Sequence, residues 1–355
     1  GVNLESAYLM HLRPGAEHAT AAELFEVEDI THKVVSAQER MNETVWDAKQ
    51  VMARPETPYV PMGTHCDKPR ACEFLDHCRR ASPLPSPSVF ELPRIGVKKW
   101  EYLQAGLAAL SDVPTQDLNE TQQHVREVIL SGERFVDREA LSRGTANWGF
   151  PMLHLDFETC SWAIPPFEGL APFTQVPVQY SLHVELDATS EPKHFEFLHD
   201  GQGDPRPQVG AALAEHMAEY LTEGACVTAY SMAVEMNGLQ CLAAATTTGA
   251  ETLLEAAKRL VDPLPLLRKH VYDAAFLGSF SIKKVAPALL GEAFDYKQLV
   301  IRHGAEAMAR YDELRNTELS PEERQGIQAE LLEYCKMDTL AMLELVRWIR
   351  RESRL

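Results

Sequence analysis

The chain has 355 residues, of which 45% are hydrophobic, and a formal net charge of −18 at pH 7. This length suits a globular protein of two domains, or one domain with a smaller appendage. There is no apolar run of roughly eighteen residues and no basic-then-apolar leader, so neither a membrane span nor secretion is indicated. The acidic balance argues against broad electrostatic binding of nucleic acid, although bound metal ions can supply positive charge locally.

The seven cysteines are an odd count at irregular spacing. This fits a reducing cytosol better than a disulfide framework, so we expect a cytoplasmic location. The first residue is glycine rather than methionine. We therefore expect either a tag remnant or a piece of a longer protein.

The first sixty residues predict a strand followed by a long helix. The apolar run 7–12 precedes a turn signal, which is typical of a strand. Residues 21–53 predict a helix, because acidic Glu26 and Glu28 come early and Lys33 comes later, in the order that the helix dipole favours.

A cysteine cluster follows. Cys66, Cys72 and Cys78 have five residues between each pair and are accompanied by His65 and His77. Thiolates at this density in a cytosolic protein are typical of a zinc site or an iron–sulfur cluster. The alternative is three unrelated buried cysteines. The spacing is not that of a zinc finger, and no fourth ligand is evident.

The next part of the chain predicts helices without chemistry. Residues 82–88 are rich in proline and serine and predict an extended connector. Residues 98–141 predict helical structure, broken near residues 112–114, with a second helix over 118–130. We interpret residues 93–147 as a helical spacer.

From residue 148 to the end, strands alternate with helices, which predicts an α/β domain with a mixed sheet and helices on its faces. The predicted strands cover residues 152–159, 176–186, 194–198 and 225–230. The predicted helices cover residues 209–221, 232–245, 252–260, 282–290, 305–314 and 321–351.

The strand at 152–159 carries the first chemical signal. Its alternation places Asp156 and Glu158 on one face, where two carboxylates repel each other unless a cation lies between them. Mg²⁺ and Mn²⁺ prefer such oxygen ligands. The alternative is a half-exposed antiparallel strand with ordinary polar residues on its outer face.

The last helix carries a second signal. Asp338 interrupts its apolar stripe, and an aspartate in a buried stripe is costly unless it is paired or binds a metal. Tyr334 lies one turn earlier and can reach the same site. The alternative is an aspartate at the margin of the buried face. The apolar members of the stripe are Leu331, Cys335, Met342, Leu345 and Ile349.

A third helix contributes Glu235, which follows the strand at 225–230 and lies beside a buried side formed by methionine, leucine and alanine. Taken alone, this glutamate fits a structural role, because the helix dipole favours carboxylates at helix starts. The set Asp156, Glu158, Glu235 and Asp338, with Tyr334 and without a catalytic Ser, Cys or His motif, suits two-metal phosphoryl transfer.

These residues carry a family resemblance. Asp156-Phe-Glu158 and Tyr334-Cys-Lys-Met-Asp338 resemble the DnaQ-like 3′–5′ exonucleases of the DEDD class, in the tyrosine (DEDDy) subtype. The segment Ser281-Ile-Lys283 and the aspartate Asp262 resemble further segments of that superfamily. The resemblance implies an RNase H-like mixed five-stranded sheet flanked by helices over residues 148–355.

A closer resemblance is to a bacterial family described only as a domain of unknown function, carried by segments 157–165, 179–183 and 278–283. In that family an iron–sulfur nuclease of the RecB type precedes the exonuclease domain. The cysteine segment resembles the tail of that nuclease, so residues 1–92 are interpreted as its remnant, a smaller and mostly helical region. The resemblance implies an incomplete 4Fe–4S or Zn²⁺ site at Cys66, Cys72 and Cys78, and an upstream nuclease domain of the full-length protein as partner.

For the C-terminal domain, the resemblance implies hydrolysis at the 3′ end of DNA or RNA with two Mg²⁺ or Mn²⁺ ions. Asp156 and Asp338 would hold the metal on the nucleophile side, Glu158 and Glu235 would complete the pair, and Tyr334 would orient the attacking water. Candidate phosphate contacts, which a solvated charged face would explain equally well, are Ser281, Lys283, Lys284, Arg268 and Lys269.

Two departures from the family pattern leave alternatives open. Glu235 stands where the superfamily usually has aspartate, and Ser231 stands where asparagine is expected. One alternative is a catalytically weak pseudo-exonuclease that binds nucleic acid or a partner. Another is a metal-dependent phosphatase, which would act on mononucleotides alone.

Overall fold

The computed structural model describes residues 5–17 and 21–354, and they fall into two compact units. The first unit comprises residues 1–82 and 161–174, and the second comprises residues 83–160 and 175–355. In the described part of the chain, every helix falls short, in length or in apolar character, of what a membrane span requires.

The first unit has a two-stranded antiparallel sheet and the cysteine segment. The predicted helix over 21–53 is wrong in its first part. Residues 25–29 form a strand that pairs with the first strand, and Glu28 on it binds Lys33 across 2.7 Å at the surface. The elements are β1 (Tyr8–Leu12), α1 (Ala21–Leu24), β2 (Phe25–Asp29), α2 (Thr31–Met52) and α3 (Leu75–Ala81).

The second unit contains the remaining elements. Its strands are β3 (Phe135–Val136), β4 (Met152–Cys160), β5 (Val176–Glu185), β6 (Lys193–Leu198), β7 (Cys226–Thr228), β8 (Leu260–Val261) and β9 (Val271–Tyr272). Its helices are α4 (Lys98–Gln104), α5 (Glu120–Ser131), α6 (Arg138–Thr145), α7 (Arg206–Thr222), α8 (Ala233–Ala245), α9 (Ala250–Lys258), α10 (Pro263–His270), α11 (Ile282–Leu290), α12 (Gly304–Leu314) and α13 (Pro321–Glu352).

The main sheet has five strands in the order β6-β5-β4-β7-β8. β5 runs antiparallel to both of its neighbours, β6 and β4. β7 runs parallel to β4, and β8 runs parallel to β7. The predicted α/β class, with a mixed sheet flanked by helices, is confirmed. The resemblance of Asp262 to an aspartate that ends a strand agrees with β8, which ends directly before it. Sequence analysis missed the helix α10 and the separate pair of β3 with β9.

One face of the sheet is apolar and packs against α7, α8 and α9. The alternation of β4 places Leu153, Leu155 and Phe157 on this face, and all three are buried. Side chains from β5 and β7 join them, including Tyr180, Leu182, Val184 and Val227. Burial at roughly 25 cal/mol per Å² makes this core a main source of the sheet's stability.

The opposite face is polar and is nevertheless buried, because α13 covers it. Gln179 donates a hydrogen bond to the Leu331 carbonyl at 2.9 Å. Ser181 and His183 both lie within hydrogen-bond distance of the Thr339 hydroxyl, at 2.7 and 2.8 Å. This face of the sheet is therefore not an ordinary outward face: His154 of β4 is fully buried, whereas Asp156 and Glu158 further along β4 are half-buried.

The segment interpreted as a spacer packs into the second unit. Residues of this segment, such as Leu110, Val125 and Leu141, share one hydrophobic core with α10, α11 and the end of α13. The first predicted helix of this segment ends earlier than the predicted break near 112–114, because α4 ends at Gln104 and Gly106 follows with φ +78°. The second predicted helix, over 118–130, is confirmed as α5. The boundaries at 92/93 and 147/148 stay predictions.

A close approach of α8 to β4 requires glycine and generates a test. A Cβ on Gly238 would lie 2.8 Å from the Phe157 ring, whereas a Cβ on Gly326 in α13 meets nothing within 4 Å. We expect Gly238→Ala to lower the free energy of unfolding by about 1–3 kcal/mol through overpacking. The matched control, Gly326→Ala, should raise it by about 0.5–1 kcal/mol. Urea denaturation measures both, and equal effects would contradict this packing.

Candidate active site

The sheet topology places three of the four predicted carboxylates near one another. Parallel pairing of β7 covers only residues 152–154 of β4, so the pairing ends two residues before Asp156. The chain then turns into α8, whose first turn carries Glu235. Asp156 and Glu158 are half-buried. Glu235 is only 3% exposed, so its side chain lies in the protein interior and not at the edge of the buried face of α8.

The fourth carboxylate arrives from α13. Asp338 is 8% exposed and lies among buried apolar neighbours on its own helix, as the interrupted stripe predicts. One of its oxygens, Oδ1, accepts a hydrogen bond of 2.6 Å from the Tyr296 hydroxyl. Sequence analysis missed Tyr296, because it lies in an irregular segment between α11 and α12 where no periodicity marks it.

Potential ligand atoms of Asp156, Glu158 and Cys335 all lie within 4.8 Å of one another. Asp338 and Glu235 lie outside this group. Their charges nevertheless raise the pKa of Asp156 within it. The Cys335 thiol donates weakly to Asp156 Oδ2 at 3.7 Å. Burial and the surrounding carboxylates raise the pKa of Cys335 well above its usual range, so the thiol stays protonated.

Burial raises the pKa of every carboxyl in the set, and repulsion from neighbouring carboxylates adds to the rise for Asp156, Glu158 and Glu235. For Asp156 the cause after burial is the charge of Asp338, followed by Glu235 and Glu158. The pKa of Glu158 also lies well above its usual range, through burial and Asp338. Burial raises the pKa of Glu235 to about 8 and that of Asp338 to about 6. Without a cation, this site therefore retains protons near neutral pH.

One carboxylate oxygen has no protein partner. Glu235 Oε2 is buried and forms no hydrogen bond with any residue that the structure describes. An unsatisfied buried carboxylate is costly, and a bound cation would remove that cost. The donor set is mainly carboxylate oxygen, which fits Mg²⁺ or Mn²⁺. The residues present therefore fit the divalent ions that the sequence predicts.

Lys283 brings positive charge to the acids. Its ammonium group donates hydrogen bonds to the Tyr334 hydroxyl and, at 3.1 Å, to the Arg302 carbonyl. Its charge opposes the rise in the pKa of both Glu158 and Asp338. Burial and the nearby carboxylates raise the pKa of Tyr334, so its hydroxyl stays protonated. Of the predicted phosphate contacts, Lys283 lies nearest to the acids in this network.

Three of the other predicted contacts line two clefts of the same unit. Arg268 and Ser281 line a cleft of about 730 Å³. Lys284 is exposed and lines a second cleft, of about 450 Å³, together with Lys283 and Tyr296. Lys269 is exposed and lines neither of these clefts.

Asp262 holds the start of α8 in place. Its carboxylate accepts hydrogen bonds from the backbone N–H groups of Ser231 at 3.0 Å and Met232 at 3.3 Å. Ser231 has φ +66°, a strained value for a residue with a side chain. Asp262 thereby orients the helix that presents Glu235, and its charge contributes to raising the pKa of that glutamate.

The cysteine segment lies in the first unit. Cys66 is buried, Cys72 and Cys78 are half-buried, and His65 and His77 are exposed. Sulfurs around one zinc ion lie about 3.8 Å apart, given Zn–S bonds of about 2.3 Å. The three cysteines do not form a group within 4.8 Å among the described residues. Contrary to the prediction, their sulfurs therefore do not cluster within 4.8 Å. Metal binding by these cysteines stays a prediction.

Comparison with known proteins gives one family match. A family model described as Domain of unknown function (DUF2779) matches residues 153–281. This range contains Asp156, Glu158 and Glu235 but ends before Tyr334 and Asp338. Neither the curated proteins nor the solved structures yielded a match to this chain.

The raised carboxyl pKa values predict a pH-dependent stability in EDTA. Glu235 has a pKa of about 8 when folded and 4.5 as its ordinary value, so the folded state holds a proton that the unfolded state releases. The contribution of Glu235 to stability should therefore fall as pH rises from 6.5 to 8. Buried His154, His183 and His199 and half-buried His194 have lowered pKa values, so the unfolded state still binds protons at them near pH 6.5, and their contribution to stability changes in the opposite direction.

Thermal melts in EDTA at pH 6.5 and pH 8, on the wild type and on Glu235→Gln, isolate the glutamate, because the histidines are the same in both proteins. The introduced glutamine is neutral at both pH values, so the Tm of Glu235→Gln relative to the wild type should be higher at pH 8 than at pH 6.5. Adding Mn²⁺ should raise the wild-type Tm more at pH 8 than at pH 6.5, because the ion competes with protons for the carboxylates. A Tm difference between the two proteins that is the same at both pH values would contradict the raised pKa of Glu235.

Proposed function

We propose that this chain is a metal-dependent 3′–5′ exonuclease with an RNase H-like domain of the DnaQ (DEDDy) type. The observation that carries the proposal is the set of four buried or half-buried carboxylates, in which the charge of Asp338 raises the pKa of the other three. They come from one strand and two helices that are distant in sequence. A fold that collects like charges at one place calls for a cation there.

The chain offers ligands for two ions. Asp156 and Glu158 share the tightest group, Asp338 keeps its second oxygen while Tyr296 occupies the first, and Glu235 Oε2 has no competing partner. Two divalent ions bound here would stabilise charge on the attacking and leaving oxygens of a phosphodiester.

The protein's own residues would position the reactants. Lys283 donates to the Tyr334 hydroxyl, which leaves the hydroxyl hydrogen free to donate to a water or a phosphate oxygen. Because the pKa of Tyr334 is raised, this hydroxyl would orient the attacking water rather than remove its proton. The Tyr296 hydroxyl fixes the rotamer of Asp338 through its hydrogen bond.

The proposed substrate is the 3′ end of a single strand, and DNA and RNA are both to be tested. All seven cysteines are free thiols, which supports a reducing compartment such as the cytoplasm. The segment containing Cys66, Cys72 and Cys78 makes a RecB-type nuclease domain the proposed partner, with a 4Fe–4S cluster or Zn²⁺ as the proposed occupant of these thiols.

The second candidate is a pseudo-exonuclease that binds nucleic acid or a partner without turnover. Two observations favour it. The Lys283 ammonium already supplies positive charge beside the acids, and Glu235 lies outside the tight ligand group. This candidate predicts oligonucleotide binding without metal-dependent hydrolysis. A metal-dependent phosphatase would instead release phosphate from mononucleotides and leave oligonucleotides intact.

Substitutions on α13 test the proposed active site. Asp338→Asn keeps the side-chain shape but removes a charge that holds a divalent ion, so activity should fall to background even at high Mn²⁺. Tyr334→Phe keeps the carboxylates and should slow hydrolysis by about 10²–10⁴-fold, which is typical for loss of one such contact. Single-turnover rates on a 5′-labelled single strand measure both effects, with metal binding followed by calorimetry.

Tyr311→Phe is a matched control, because Tyr311 is buried and its hydroxyl bonds to His199 at 2.8 Å rather than to the acids. It should cleave at the wild-type rate. If Tyr334→Phe cleaves as fast as Tyr311→Phe, the role of Tyr334 in orienting water fails. If Asp338→Asn retains activity, the whole active-site proposal fails.

A further inference from the structure

The cleft of about 730 Å³ is the feature that the proposed catalysis does not use. Two parts of the second unit line it: residues 93–94 and 119–121 from the segment interpreted as a spacer, and residues around α8, α10 and α11. Its volume lies within the usual range for ligand sites. Lining residues that bear on its chemistry are Arg94, Arg268, Tyr230, Ser231 and Ser281, together with one carboxylate, that of exposed Glu120.

Two cations at this cleft have no carboxylate partner. Arg94 is exposed, and Arg268 is half-buried with its guanidinium 6.0 Å from the centre of the Phe280 ring. Neither side chain forms an ion pair or hydrogen bond with another residue in the described part of the chain. The chain has 52 acidic and only 34 basic residues. Two unpaired arginines at one cleft in such a chain point to an anionic ligand.

Backbone strain is concentrated at the same place. Among the described residues of the second unit, the non-glycine residues with positive φ are Arg94 (+52°), Ser231 (+66°) and Leu277 (+52°). Arg94 and Ser231 line the cleft, and Leu277 directly precedes Gly278, which also lines it. Residues held in such conformations cost free energy and cluster at functional sites.

A close backbone contact joins the two parts of the lining. A Cβ on Gly278 would lie 2.5 Å from the carbonyl oxygen of Glu91, and Gly278 has φ +76°. The segment that carries Arg94 is therefore packed directly on the segment that leads into α11. The position of Arg94 is set by this packing, together with the shared core beneath it.

Two chain segments lead from the cleft to the acidic site. Ser231 lies four residues before Glu235, and Ser281 lies two residues before Lys283, which bonds to Tyr334. At most four residues of chain therefore separate each of these cleft residues from the acidic network. A strand whose 3′ end lies at the carboxylates can therefore continue into the cleft.

We infer that this cleft binds the phosphodiester backbone of a single-stranded oligonucleotide, 5′ to its terminal nucleotide, through Arg94 and Arg268. The inference rests on the proposed function for the placement of the 3′ end. It gives residues 83–131 a role in substrate binding and predicts a preference for oligonucleotides over mononucleotide esters. Arginine suits this ligand because its planar guanidinium binds phosphate oxygens in a bidentate manner.

Binding tests the inference independently of hydrolysis. Fluorescence anisotropy of a labelled single strand, in Ca²⁺, gives the Kd and its dependence on salt. Arg94→Gln and Arg268→Gln should each weaken binding about tenfold and lower the slope of log K against log salt by about 0.7, the value for one phosphate contact on a single strand. Arg94→Lys should retain most of that slope. Lys98→Gln is the matched control, since Lys98 is exposed on the same segment and lies outside the cleft.

Hydrolysis separates this inference from the proposed function. The p-nitrophenyl ester of thymidine 5′-phosphate tests the acidic site without a second nucleotide. In the arginine variants, the ratio of kcat/KM for oligonucleotide to that for ester should fall about tenfold. If both substrates are hydrolysed and Arg94→Gln behaves like Lys98→Gln in every assay, the cleft assignment is overturned and the exonuclease stands.

The remaining outcomes are also decisive. If oligonucleotide binds with the expected salt slopes but neither substrate is hydrolysed, the exonuclease proposal fails and the cleft assignment holds. If wild-type protein binds no oligonucleotide, the cleft assignment is overturned, and a ligand of another kind must account for the unpaired arginines.

Discussion

Repulsion among four carboxylates is the constraint on which the second unit depends. Burial raises the pKa of Asp156, Glu158, Glu235 and Asp338, and the charge of Asp338 raises the pKa of the other three further. Lys283 opposes the rise for Glu158 and Asp338, and the hydrogen bond from Tyr296 also opposes it for Asp338. Such a site is stable with protons at low pH or with divalent cations at higher pH. Burying these carboxylates therefore lowers the free energy of unfolding. A cation that binds them in the folded state would raise it again.

Packing on both faces of the main sheet offsets this destabilisation. The apolar face buries β4 and β5 against α7, α8 and α9, which fixes the strand that carries Asp156. The polar face is buried beneath α13, where Ser181 and His183 bond to Thr339 one residue after Asp338. These hydrogen bonds set the axial position of α13 on the sheet, and with it the position of Asp338 and Tyr334.

The segment before the sheet has a larger role than a spacer would have. It shares a core with α10, α11 and the end of α13, and it brings Arg94 to a cleft beside the acids. An acidic chain can bind nucleic acid in this arrangement, because cations at the site and two unpaired arginines provide local attraction despite the net charge. The affinity should then be strongly sensitive to salt.

The sequence by itself determined the elements that carry strong periodicity. Alternation in 152–159 predicted β4, and the interrupted stripe of the last helix predicted a buried Asp338, because both patterns follow from local geometry. Only the tertiary structure decided that Glu235 faces the interior, that Tyr296 bonds to Asp338, that residues 25–29 pair as a strand, and that Arg94 meets Arg268 at one cleft. Those facts depend on contacts between distant segments, and no local pattern records which segments meet.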